Sequence, residues 1–113
     1  MTAGEPRRGS RIVAFVPDLM DRSKVAAAAE GRVRFVPTPG GLTAAAADAD
    51  LVVVDLARPA VLEVLAAVVA TGTPVIAFGS HVDGDTLAIA RSAGCEEVLA
   101  RSTFFADLVR WLS

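Results

Sequence analysis

The chain is poor in the residue types that build catalytic triads and disulfide scaffolds. Its 113 residues include one cysteine, one histidine and no tyrosine, and aromatic residues make up only 5%. A single cysteine excludes an internal disulfide and is typical of a reducing cytosol, so we expect a cytoplasmic protein. A triad built on His81 would need Ser80 and Asp83 from the same turn, a geometry that neighbouring residues rarely adopt. We therefore do not expect an enzyme.

Strong charge and long apolar runs are also missing. The net charge is −2, and the only paired basic residues in the N-terminal segment are Arg7 and Arg8, so neither nucleic acid nor a membrane surface is an expected partner. No apolar run approaches the ~20 residues of a membrane span, and the first ten residues lack the apolar region of a signal peptide. We expect residues 1–10 to be a disordered leader and residues 11–113 to form a single domain.

Short aliphatic runs alternate with helix-like segments along the rest of the chain, in which 53% of residues are hydrophobic. Helix caps are expected at Asp18, Asp83 and Ser102, and an alanine-rich helix over residues 42–49 should pack weakly. Hairpin signals are lacking, so the pattern predicts an α/β fold: a flavodoxin-like, doubly wound (βα)5 three-layer sandwich with a parallel sheet of order 2-1-3-4-5. The five predicted strands cover residues 11–16, 32–36, 51–55, 74–78 and 97–100.

The segment LVVVDLARP, residues 51–59, is the most informative part of the chain. Its apolar run is short and ends on Asp55, which is typical of a strand buried on both faces. Ligands of open parallel sheets bind just beyond the carboxyl ends of such strands, so Asp55 is expected at the functional edge. The alternative is a strand-end carboxylate that only accepts hydrogen bonds from loop amides.

This segment, together with TPVIAFGSH (73–81) and AGCEEVLARSTF (93–104), resembles the receiver domains of bacterial two-component response regulators. In that family an aspartate at the end of the third strand accepts a phosphoryl group, and a proline follows four residues later. Asp55 and Pro59 match this pattern. The resemblance spans nearly the whole predicted domain and implies that Asp55 is the phosphoacceptor, if that function is kept.

The departures from the family pattern concern the residues that support phosphoryl transfer. The paired acids that end the first strand and hold magnesium are replaced by Val16 and Pro17. The hydroxyl residue after the fourth strand falls on Gly79, with Ser80 adjacent, and the lysine falls on Arg101. The resemblance therefore implies that the ordinary phosphorylation switch is lost.

The remaining carboxylates offer little to a metal ion. Only Asp55 and, more weakly, Asp18 are candidate ligands, so we expect magnesium to bind in the high millimolar range or not at all, and no other cofactor. Arg101 is expected to point its guanidinium at Asp55 across the carboxyl edge. The predicted pocket thus comprises Asp55, Asp18, Gly79, Ser80 and Arg101.

Two functions remain open, with a third more distant. The first is a stand-alone, degenerate receiver-like signalling module that acts by protein–protein interaction without phosphorylation. The second is an atypical phosphoreceiver that uses Asp55 with Asp18, Ser80 and Arg101 as substitutes. The third is a small enzyme or ligand-binding flavodoxin-like domain, for which no catalytic constellation is found.

The last predicted helix suggests an interaction surface. It carries more apolar surface than one side of a short helix buries, and receiver domains commonly dimerise through the face made by the fourth helix, fifth strand and fifth helix. The resemblance implies a homodimer or another protein partner on this face. The alternative is that all of these side chains pack inside. The candidate interface residues are Phe104, Phe105, Val109 and Trp111.

Overall fold

The computed structural model describes residues 10–113, which form five strands and six helices. Apart from Ser10, the leader predicted over residues 1–10 lies outside this range. The strands are β1 (Ile12–Phe15), β2 (Val33–Phe35), β3 (Leu51–Asp55), β4 (Val75–Gly79) and β5 (Glu97–Ala100). The helices are α1 (Leu19–Ala29), α2 (Leu42–Ala46), α3 (Ala60–Ala70), α4 (Gly84–Ala93), α5 (Arg101–Ala106) and α6 (Leu108–Leu112), and a 3-10 turn spans Pro39–Gly41.

All strand pairs are parallel, and the sheet order is β2-β1-β3-β4-β5. This confirms the predicted flavodoxin-like three-layer fold. The three central strands β1, β3 and β4 are buried at every position, as expected when helices cover both faces of a parallel sheet. Parallel pairing brings all the carboxyl ends to one edge, where the polar residues that follow β1, β3 and β5 can meet.

Alternate residues of the central strands enter two separate cores. Val13, Val52 and Val54 belong to the core under α2, α3 and α4, in which Leu65 of α3 is also buried. On the opposite face, α1, α5 and α6 cover a second core, whose strand residues include Ile12, Ala14, Leu51, Val53, Ile76 and Phe78. The helices after β1 and β3 therefore lie on opposite faces of the sheet.

Two predicted helix caps are confirmed. The Asp18 carboxylate accepts a hydrogen bond from the Asp21 amide at 3.0 Å and begins α1. Asp83 accepts from the amide and hydroxyl of Thr86 at the start of α4. Both caps satisfy amides that have no partner within their helix.

Other local predictions are wrong. Ser102 does not cap the last helix, because α5 already begins at Arg101 without a side-chain cap. The last helix is interrupted at Asp107, where φ is −144°, so α5 and α6 are separate helices. The alanine-rich helix ends at Ala46, and its two inward residues, Leu42 and Ala46, are fully buried rather than weakly packed.

The described part of the chain, residues 10–113, contains no helix that is both long and apolar enough to cross a membrane.

Candidate functional site

A small cleft of about 260 Å³ opens at the carboxyl edge of the sheet. The loop after β1 contributes Pro17 and Asp18, the loop after β3 contributes Ala57 and Arg58, and Arg101 lies at the start of α5. Asp55 ends β3, and Asp21 reaches the cleft from the first turn of α1. Three carboxylates and two guanidinium groups therefore line one cleft.

Asp55 is almost completely buried, with 4% of its surface exposed. One carboxylate oxygen accepts a hydrogen bond from the Ala57 amide at 2.9 Å, so the side chain also holds the loop after β3. Burial raises the pKa of the Asp55 carboxyl above its ordinary value, and the Ala57 hydrogen bond and the positive charge of Arg101 offset this only in part. The charge on Asp55 is therefore poorly stabilised in the folded protein.

Asp21 is the residue that the sequence analysis did not identify. Its side chain is only 3% exposed, and its Oδ1 accepts a hydrogen bond from the Arg101 Nη2 at 2.5 Å. Its Oδ2 is buried and has no hydrogen-bond partner among the described residues. The charge-assisted bond to Arg101 is therefore the main compensation for burying this carboxylate.

Arg101 was expected to point at Asp55, and that prediction is wrong. Its guanidinium pairs with Asp21 instead and lies over the ring of Phe105, 4.8 Å from the ring centroid. The hydrogen bond with Asp21 raises the pKa of Arg101, which keeps the group charged. Its positive charge still lowers the pKa of Asp55 from a distance. Arg101 thus joins the start of α5 to the first turn of α1.

Gly79 ends β4 in a tightly packed position. It is buried, and a Cβ at this position would lie 3.3 Å from the Leu56 Cβ and 3.4 Å from a methyl group of Leu87. A side chain here would require Leu56 to shift by a few tenths of an ångström. Ser80 is exposed, its hydroxyl accepts from the Val82 amide at 3.4 Å, and it is not among the residues that line the cleft.

The substitutions after β1 also change the cleft. The Val16 side chain is apolar and fully buried in the core under α1, so it offers no ligand atom to the cleft. Asp18 lines the cleft but uses one carboxylate oxygen as the cap of α1. Among residues 10–113, no group of three or more His, Cys, Asp or Glu side chains is arranged to hold a metal ion.

The four candidate interface residues do not share one environment. Phe104 is fully buried and stacks on Phe78, with ring centroids 4.5 Å apart, so its place at an interface is a wrong prediction. Phe105 is half-buried and meets both rings edge-on. Trp111 is half-buried, and the Arg110 guanidinium lies over its ring. Val109 is 68% exposed, so it is the one member of the set that faces solvent freely.

The lone histidine and cysteine lie away from this cleft. His81 is exposed in the turn between β4 and α4. Burial raises the pKa of the Cys95 thiol to about 11, so the thiol stays protonated and is a poor nucleophile at neutral pH.

Several solved structures are similar to this chain in fold. The beryllofluoride-activated receiver domain of DrrB is 19% identical and superposes with a TM-score of 0.74, covering 90% of this chain and 92% of that one. CheY4 of Vibrio cholerae is 17% identical with a TM-score of 0.74, over 91% and 95%. A CheY-like receiver domain from Methanospirillum hungatei JF-1 is 18% identical with a TM-score of 0.74, over 91% and 90%.

The chain has the receiver-domain fold. Its structural neighbours are response-regulator receiver domains, and the cleft occupies the carboxyl edge at which the strand pattern predicted Asp55. No protein-family model and no curated protein matches the sequence. The likeness to these receiver domains is therefore one of fold, at 17–19% sequence identity.

The burial of Asp55 predicts that its charge destabilises the fold. Because the pKa of Asp55 is raised in the folded state, its ionised form favours unfolding at neutral pH. We expect Asp55→Asn to raise the thermal midpoint at pH 7, since asparagine can still accept from Ala57. The difference from the wild type should shrink as the pH falls through the folded pKa and vanish near the ordinary value of 3.8.

Thermal denaturation of both proteins from pH 7 to pH 4 measures this difference. Asp55→Ala is the control, because it removes the charge and also leaves the Ala57 amide without its acceptor. A lower midpoint for Asp55→Asn at pH 7 would show that attraction to the arginines outweighs burial.

The ion pair between Arg101 and Asp21 predicts that the losses in the free energy of unfolding of the two single variants do not add up in the double variant. Arg101→Ala leaves the Asp21 carboxylate buried without its partner, so we expect a loss of about 2 kcal/mol or more in the free energy of unfolding. The double variant Asp21→Ala/Arg101→Ala should lose less than the sum of the two single variants. Urea denaturation measures all three values.

Arg91→Ala on α4 is the control, because Arg91 is exposed. Arg22 is less suitable, since its Nε donates to the Val16 carbonyl at 2.7 Å. Equal losses for Arg101→Ala and Arg91→Ala would contradict a structural role for the pair.

Proposed function

We propose that the chain is a receiver-like signalling module that acts by binding a protein partner, and that Asp55 is not phosphorylated in this role. The observation that carries the proposal is the ion pair between Arg101 and Asp21, which commits one of the two guanidinium groups of the cleft to an internal carboxylate. The receiver-domain fold supports a signalling module rather than an enzyme. The single cysteine supports a cytoplasmic location.

Phosphoryl transfer to a carboxylate needs cations to neutralise the phosphate and hold it in line. In this cleft the guanidinium of Arg101 already binds a carboxylate that is 3% exposed. Releasing Arg101 toward a phosphoryl group would leave the buried charge of Asp21 unpaired, which is costly. The pair therefore opposes the movement that a phosphorylated Asp55 would require.

The oxygen donors of the cleft do not suit magnesium, which prefers near-octahedral coordination by carboxylates and water. The Asp21 carboxylate is bound to Arg101, Asp18 uses an oxygen to accept from the Asp21 amide in the first turn of α1, and Asp55 uses one to accept from the Ala57 amide of a loop. A positive guanidinium beside the site also disfavours a second cation. We propose that magnesium binds in the high millimolar range or not at all.

The second candidate function is an atypical phosphoreceiver. Its specific support is that Asp55 shares the cleft with two arginines, Arg58 and Arg101, both of which lower the pKa of Asp55 through their charge. A phosphoryl group on Asp55 would meet the same charges. Among the structural neighbours, RcpA is described as phosphorylated and the DrrB receiver as activated by beryllofluoride.

Acetyl phosphate separates the two candidates. We expect no phosphoryl addition when the protein is incubated with acetyl phosphate and magnesium and its intact mass is measured, because the carboxylates of the cleft suit magnesium poorly and Arg101 is held by Asp21. Asp55→Asn is the control for modification elsewhere. Addition of one phosphoryl group to the wild type but not to Asp55→Asn would overturn the first candidate and establish the second.

The partner surface that we propose is the face made by α4, β5 and α5–α6. Two apolar side chains here face solvent, Ile89 of α4 at 49% and Val109 of α6 at 68% exposure. The sequence analysis had assigned Ile89 no interface role. Strand β5 lies at the edge of the sheet and is only half-buried. Exposed apolar groups around an edge strand are typical of a contact surface, and the NtrC4 receiver domain is described as a dimer.

If this face binds a second copy, the chain should self-associate at micromolar concentration in sedimentation experiments. Ile89→Asp or Val109→Asp should restore the monomer, because each places a charge in an apolar contact. Leu19→Asp is the matched control, since Leu19 of α1 is 74% exposed but lies outside this face. A monomer at high concentration would mean that the face does not bind a second copy.

A further inference from the structure

A second cleft, of about 460 Å³, lies beside the first at the carboxyl edge. Its walls include residues of the connections after β1, β2 and β3 and of helix α1. These residues are Pro17, Arg22, Pro37, Pro39, Arg58 and Ala60. The volume is within the range of small-molecule sites. From this lining we propose that the cleft binds a small organic anion, an apolar body that carries a carboxylate or a phosphate monoester.

The position of the cleft is the first support. The helix after β1 packs on one face of the sheet and the helix after β3 on the other, although β1 and β3 are neighbours. The two connections diverge at this point, which is the topological switch point where open α/β sheets open a crevice. Pro17 and Arg58 belong to these two diverging connections.

The second support is the chemistry of the walls. Three of the chain's six prolines line the cleft, and proline has no N–H to offer a ligand. These walls are apolar and have a fixed backbone angle, so they suit an apolar body and change little on binding. Hydrogen-bond donors from side chains therefore come from the two arginines.

The third support is charge. The lining, as far as the described residues show, includes Arg22 and Arg58 and no acidic side chain, in a protein whose net charge is −2. The neighbouring cleft has three carboxylates, so the two clefts differ in sign. An oxyanion is the ligand group that matches two guanidinium groups.

The arginines also differ in how firmly they are held. The Nε of Arg22 donates to the Val16 carbonyl at 2.7 Å, and its guanidinium lies over the ring of Phe35, 5.5 Å from the centroid. This fixes the side chain and leaves its terminal nitrogens for a ligand. Arg58 is exposed and makes no side-chain hydrogen bond or ion pair within residues 10–113. Its charge is thus available at the mouth of the cleft.

Nuclear magnetic resonance titration of the whole chain with simple probes tests the proposal. Benzoate and phenyl phosphate should cause saturable shifts at the amides of Arg58 and Ala60 and at the Arg22 Nε–H. Benzyl alcohol lacks the charge and inorganic phosphate lacks the apolar body, so each should bind at least about tenfold more weakly. The two charged probes distinguish a carboxylate from a phosphate ester as the preferred group.

Two variants separate the contributions of charge and shape. Arg58→Gln should weaken binding by about tenfold while the protein stays folded, because Arg58 makes no side-chain hydrogen bond or ion pair within residues 10–113. Ala60→Leu should block binding by filling the cleft while leaving both arginines in place. Arg91→Gln, an exposed arginine in the last turn of α4, is the control and should bind as the wild type does.

Three results would overturn the proposal: no saturation by about 10 mM of either charged probe, equal binding of benzyl alcohol, or binding that survives both Arg58→Gln and Ala60→Leu. None of these measurements uses a phosphoryl donor or a partner protein. Their outcome is therefore independent of whether Asp55 is phosphorylated.

Discussion

The carboxyl edge of this domain is organised by one buried charge and its partner. Asp21 lies on the first turn of α1 with a side chain that is 3% exposed, and a carboxylate in that position requires compensation. Arg101 supplies it from the start of α5, 80 residues later in the chain. The pair links the helices after the first and last strands and holds Arg101 in place. Within residues 10–113 the neighbouring Asp55 has no ion-pair partner, and burial makes its charge unfavourable.

The two clefts at this edge share two wall residues, Pro17 and Arg58, and differ in the sign of their net charge. Arg58 lines both the acidic cleft that contains Asp55 and the proline-walled cleft that contains Arg22. Its charge lowers the pKa of Asp55, so an anion that engages Arg58 on one side would weaken that influence on the other. The anion proposed for the proline-walled cleft would thus act on the region around Asp55 through a single side chain.

The fold was predictable because it depends on local patterns that repeat along the chain. Apolar runs such as 51–55 and the caps at Asp18 and Asp83 define strand and helix positions, and short connections between parallel strands leave few ways to wind the sheet. Errors arose where tertiary packing decided. Sequence periodicity gave no sign that the last helix breaks at Asp107.

The candidate site was predicted only in part. The apolar run over residues 51–55 was enough to predict that a carboxylate, Asp55, ends the third strand, and the resemblance to receiver domains placed Val16, Pro17 and Gly79 at positions where that family has polar residues. It did not identify Asp21, because an aspartate three residues after a helix cap is usually solvated, and the only available signal was its place in the first turn beside the functional edge. Only the tertiary structure decided that Arg101 pairs with Asp21 rather than Asp55, because the choice between two carboxylates depends on burial and distance across elements remote in sequence.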